Sequence, residues 1–104
     1  MSEQAAKVIA LSVISAVESQ DVDKFDQAFK GVDDLAAKLL ERFLVEAATG
    51  KYDTFQKEDG PQFHSNPNFA RAILRAWKRV GSASGKLAAR MAFEVALSIS
   101  RRTK

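Results

Sequence analysis

Apolar residues along this chain recur three and four positions apart rather than on alternate positions, the spacing of helices that turn one face toward a core. In residues 3–19, Ile9, Val13, Ala16 and Val17 fall near one side, Ala6 and Ala10 join them, and Ser2 stands where a cap belongs. Asp21 is placed to cap a second helix over 22–30, in which Val22, Phe25, Ala28 and Phe29 keep helical spacing. Gly31 follows as the residue expected to end it in the left-handed region. A third helix spans 33–49, started by Asp33 or Asp34 and stopped before Gly50. Leu35, Leu39, Leu40, Phe43, Leu44 and Ala47 line its apolar side, with Asp34, Lys38, Glu41, Arg42 and Glu46 assigned to the other.

The pattern breaks over residues 50–66, where Lys57-Glu58-Asp59-Gly60-Pro61 has the composition of a turn. Asn66-Pro67 then opens a fourth helix over 67–80: asparagine is a favoured cap, and proline is tolerated at a first helical position that lacks an N–H partner anyway. Gly81 ends it, and Ser82-Ala83-Ser84-Gly85 leads to a fifth helix over 86–100. Alternation of period two never holds, and β-branched residues are sparse after Val45. The expectation is an all-α, single-domain bundle of four to five helices.

The fifth helix is apolar nearly all round. Leu87, Ala88, Met91, Ala92, Val95, Ala96 and Ile99 cover a broad arc, Phe93 and Leu97 extend it, and only Arg90, Glu94, Ser98 and Arg101 form a polar strip. Such a helix is expected to be mostly buried, either inside its own bundle or against a second copy in a homodimer. Its small residues suit close approach in both cases.

Composition narrows the class. At 104 residues, with 46% apolar and 28% charged, the chain can build one core and lies away from the composition of disordered proteins. It has no cysteine, which removes disulfides and thiolate metal sites and fits a cytoplasmic setting. The run Val8–Val17 contains two serines, lacks a cleavage pattern after it, and is far shorter than the roughly 20 apolar residues of a membrane span, so a core helix is expected there and no membrane partner.

Catalytic and metal-binding patterns fail on inspection. His64 is the only histidine, without a second histidine or a cysteine to share a metal or activate a nucleophile. Asp21-Val22-Asp23 begins like a calcium loop, but Phe25 takes the third ligand position and Asp26 the place of the glycine. The run Gly81–Gly85 lacks the strand and the lysine ending of a phosphate-binding loop. The expectation is a non-enzymatic protein without cofactor or metal.

Charge carries the functional signal. Residues 1–70 hold 7 basic and 12 acidic side chains, whereas residues 71–104 hold 9 basic and 1 acidic. On the fourth helix, at about 100° per residue from Pro67, Arg71, Arg75, Lys78 and Arg79 fall between about 20° and 120°, while Phe69, Ile73, Leu74, Ala76, Trp77 and Val80 fall between about 180° and 340°. No acid stands four residues before any of these cations. Arg101, Arg102 and Lys104 add a basic tail. Two readings of the stripe stand: counter-charge for the acidic half of the fold, or a surface for an anionic partner.

For a partner, nucleic-acid backbone is the most economical, because guanidinium groups one turn apart can each take a phosphate oxygen pair. Such contacts position without reading bases, in RNA or DNA. A helix-turn-helix reader is disfavoured, since Lys86-Leu87-Ala88-Ala89-Arg90-Met91 is too apolar for a major groove. The alternative is a protein–protein module, an inhibitor, adaptor or self-assembling scaffold, docking an acidic protein. Trp77 and the loop aromatics Tyr52, Phe55 and Phe63 are the rings that could stack on bases; Trp77 sits with the core set, and Tyr52 and Phe63 are candidates for partner contact from the loop.

Overall fold

The computed structural model describes residues 2–56, 67–80 and 85–102, the side chains of Arg101 and Arg102 excepted. Among these residues the chain forms five helices and no strand: α1 (Glu3–Ser19), α2 (Val22–Lys30), α3 (Asp34–Thr49), α4 (Pro67–Val80) and α5 (Gly85–Arg102). The expected all-α bundle is present, with α3 and α5 starting within a residue of the expected positions and α5 running two residues longer.

Three of the helix starts are fixed by the capping residues that the sequence points to. The Ser2 hydroxyl accepts the Ala5 N–H at 3.1 Å, the Asp21 carboxylate the Lys24 N–H at 3.0 Å, and the Asp33 carboxylate the Ala36 N–H at 2.9 Å. Each satisfies an amide that the first helical turn leaves without a partner. The helix ends depart from expectation. Gly31, expected to be left-handed, has φ −92° and stays in the right-handed region. The last carbonyls of α2 are instead closed by tight i→i−3 bonds, from Gly31 N–H to Ala28 and from Val32 N–H to Phe29, both 3.2 Å. The left-handed position belongs to Gln20, at φ 59° after α1, and to Gly50, at φ 75° after α3.

α3 is the central element, packed on α1, α4 and α5, while α2 is held mainly by α1. Its burial extends around most of its girth, through Ala36, Ala37, Leu39, Leu40, Phe43, Leu44, Ala47 and Ala48. Glu46, assigned by sequence to the polar side, is 6% exposed and belongs to the interior. Its carboxylate accepts the backbone N–H groups of Thr54 at 2.8 Å and Phe55 at 3.0 Å. This docks residues 51–56 against the bundle and carries Phe55 into the core, where its ring meets Phe43 edge-on at 5.4 Å. Lys7 finishes the joint, donating to the Thr54 carbonyl at 3.1 Å with its ammonium over the Phe55 ring.

The apolar pattern of α5 resolves into two faces. Ala88, Ala89, Ala92, Phe93, Ala96 and Leu97 are buried, and the helix packs on α1, α3 and α4 within its own bundle. The alanines permit this closeness: an added Cβ at Gly85 would lie 3.5 Å from the Ala37 Cβ. Leu87, Met91 and Val95 point outward and are 50%, 46% and 40% exposed. At the far end α5 is tied to α1, with the Gln20 amide donating to the Ser100 carbonyl at 2.9 Å and the Ser100 hydroxyl to the Val17 carbonyl at 3.3 Å.

Candidate nucleic-acid interface

α4 separates its faces as the spacing predicts. Ala70 and Ile73 are buried, and Phe69, Leu74 and Trp77 pack against the core while partly exposed. Trp77 is thereby engaged in packing rather than presented as a platform. Arg71, Arg75, Lys78 and Arg79 are all exposed on the opposite side.

The four cations do not stand alike. Arg71 reaches back to α3, donating to the Ala48 carbonyl at 3.1 Å and to the Asn68 side chain at 2.9 Å. It closes a carbonyl left open in the last turn of α3, where positive charge is also favoured by the helix dipole. Part of its guanidinium is therefore committed to the fold. Arg75, Lys78 and Arg79 make no hydrogen bond or ion pair with any described residue.

Four acids of the acidic half have other work. Asp21 and Asp33 cap helices, Glu46 holds the 51–56 segment, and Asp26 pairs with Arg90. Arg90 bridges Asp26 on α2 and Glu94 at 2.8 Å on its own helix. Its guanidinium also lies over Phe25 and Phe29, 5.3 and 5.5 Å from the ring centroids. The hydrogen bond to Glu94, followed by that to Asp26, raises the Arg90 pKa above its ordinary value against the opposing effect of partial burial, so it stays charged at any workable pH.

Three cations thus crowd one exposed helical turn. Arg75 and Arg79 are four residues apart, about 6 Å along the axis, with Lys78 between them in rise. The backbone at the other predicted positions is uneven in what it brings to this face. Tyr52 is half-buried in the docked segment rather than projecting from a free loop. Arg101 and Arg102 close α5, away from the end where α4 hands over to α5, with side chains outside the described residues. Phe63, His64, Asn66, Gly81 and Lys104 lie outside the described residues.

Sequence reasoning overlooked Glu46, Lys7 and Arg90. A signal for Glu46 was present: at about 100° per residue it falls between Leu35 and Leu39, inside the apolar arc of α3. Nothing local marks Lys7 or Arg90, whose partners stand 47 and 64 residues away. Among the described residues no group of three His, Asp or Glu side chains could hold a metal ion, and no helix is long and apolar enough to cross a membrane. No family model matches the sequence, and neither curated proteins nor solved structures contain a match to it.

Proposed function

We propose that this chain is a small, non-catalytic helical accessory protein that holds nucleic-acid backbone on the exposed face of α4, as one subunit of a larger assembly. The observation that carries this is the unpaired state of Arg75, Lys78 and Arg79: three exposed cations within one turn, without a described anionic partner. Intramolecular counter-charge is weakened to the extent that Asp21, Asp33, Glu46 and Asp26 have other work, and Asp34 and Glu41 beside Trp77 are the acids left to supply it.

In use, Arg75 and Arg79 each offer a flat pair of N–H donors to phosphate oxygens, and Lys78 adds a mobile point charge. Arg71 contributes the donors that α3 leaves free. Contacts of this type fix the strand without reading its bases. Neutralising about three phosphates gives a log–log salt slope of about −2 on single strands and near −3 on duplex DNA. Labelled single-stranded RNA, single-stranded DNA and duplex DNA titrated by fluorescence anisotropy at several salt concentrations test this, and a folded protein that leaves all three probes unbound at low salt refutes it.

A protein–protein module is favoured by a different observation, the outward stripe of Leu87, Met91 and Val95 on α5. Residues at i, i+4 and i+8 make one apolar line of the sort that meets another helix. Mass in solution across a concentration series separates this from the first reading, since backbone binding by α4 does not require a second copy.

A further inference from the structure

Two further cations stand together where α2 faces α5. Lys30 closes α2 and Lys86 opens α5; both are exposed, and neither bonds to a described residue. They line an open depression of about 520 Å³ together with Phe29, Leu87, Asp26 and Arg90. A second depression of about 550 Å³ shares Asp26 and Arg90 and adds Val22, Phe25, Glu94, Leu97 and Ser98. The Arg90–Asp26 bridge stands between the two.

The two differ in charge. Around the second, Asp26 and Glu94 are both answered by the single guanidinium of Arg90, leaving a formal −1. Around the first, Arg90 is already matched to Asp26, and Lys30 and Lys86 remain, a formal +2 on an apolar floor. α2 and α5 meet little through their backbones, so the depression is a gap between helices rather than a crease within one. Its size lies within the range of small-ligand sites.

We propose that this α2–α5 depression binds a small amphiphilic anion, an alkyl carboxylate in chemical class. The acid group sits between the ammonium groups of Lys30 and Lys86, and the alkyl chain lies on the half-exposed Leu87. The two halves of the site require this combination. A bare inorganic anion leaves the half-exposed Leu87 against water, and a neutral hydrocarbon brings apolar mass over two lysines without answering their charge. None of Arg75, Lys78 and Arg79 lines the site, so it stands independently of the nucleic-acid reading.

The test is titration of the intact protein with octanoate, octylammonium and inorganic phosphate, followed by amide chemical shifts in nuclear magnetic resonance spectra. Octanoate is expected to shift the amides of Lys30, Lys86, Leu87 and Arg90 saturably. Octylammonium should bind at least tenfold more weakly, and phosphate should not reproduce the Leu87 shift. The exposed pair Lys30→Gln and Lys86→Gln should weaken octanoate by about tenfold while leaving the thermal midpoint unchanged. Leu87→Ser should weaken octanoate without creating a preference for phosphate. Equal binding of octylammonium, shifts that scatter over all helices without saturating, or undiminished binding by the folded lysine variant would each overturn the proposal.

Discussion

Glu46 holds Phe55 in place: a carboxylate 6% exposed accepts the Phe55 N–H at 3.0 Å from nine residues upstream. The same carboxylate takes the Thr54 N–H, so one side chain satisfies two amides that would otherwise be buried or half-buried without partners. The consequence is that an irregular segment supplies a core aromatic. Removing Glu46 should therefore release more than one contact.

Glu46→Ala is expected to cost about 2–4 kcal/mol, because two donors lose their acceptor and Phe55 loses its anchor. Phe55→Ala should cost about 3–5 kcal/mol by the cavity it leaves. Urea unfolding of both and of the double variant checks the coupling. The two losses should sum to more than the double variant loses, since they disable one joint.

Among the described residues Gln20 is the non-glycine residue in the left-handed region, and its side chain is bonded to the Ser100 carbonyl across the bundle. Gln20→Ala keeps the strain and loses the bond, whereas Gln20→Gly loses the bond and relieves the strain. The glycine variant should be the more stable of the two by about 1 kcal/mol, measured by thermal or urea unfolding.

The two faces of α5 should respond oppositely to substitution. Ala92 is fully buried, and Ala92→Leu should destabilise by about 1–3 kcal/mol through overpacking. Met91, next to it in sequence but 46% exposed, should accept lysine within about 0.5 kcal/mol. Chemical denaturation at low protein concentration reads both. A large loss from Met91→Lys there would place that face in the core and remove the outward stripe.

Arg71 and Arg75 divide structural from surface duty. Arg71→Ala should cost about 1 kcal/mol of stability through the opened Ala48 carbonyl, while Arg75→Ala should leave the unfolding midpoint nearly unchanged. Paired unfolding curves decide it.

Much of this fold was legible because local chemistry and packing agree. Ser2, Asp21 and Asp33 cap where short-range rules put them, and α4 keeps Arg75 and Trp77 on separate sides as its 3.6-residue period demands. The failures have physical causes. Gly31 was assigned a left-handed turn that tight i→i−3 bonds make unnecessary, while Gln20 adopts one where the Asp21 N–H reaches back to the Ala16 carbonyl and its own N–H to Val17 to close α1. Glu46 was read by its charge rather than by its place on the helix. The outer stripe of α5 was hidden because Ala88 and Leu87 look equally apolar in sequence, and only packing within the bundle chooses between them. At the candidate interface the cations were readable, but the diversion of Arg71 toward α3 depends on a contact 23 residues distant.

The central claim is that Arg75, Lys78 and Arg79 form a phosphate-binding ridge. The most direct measurement is the salt dependence of anisotropy for labelled single-stranded RNA with the native protein and with a variant carrying Arg75→Glu, Lys78→Glu and Arg79→Glu. The native protein should bind with a log–log slope of about −2, and the variant, with an unchanged unfolding midpoint, should lose binding. Binding by that folded variant equal to the native protein's would contradict the claim.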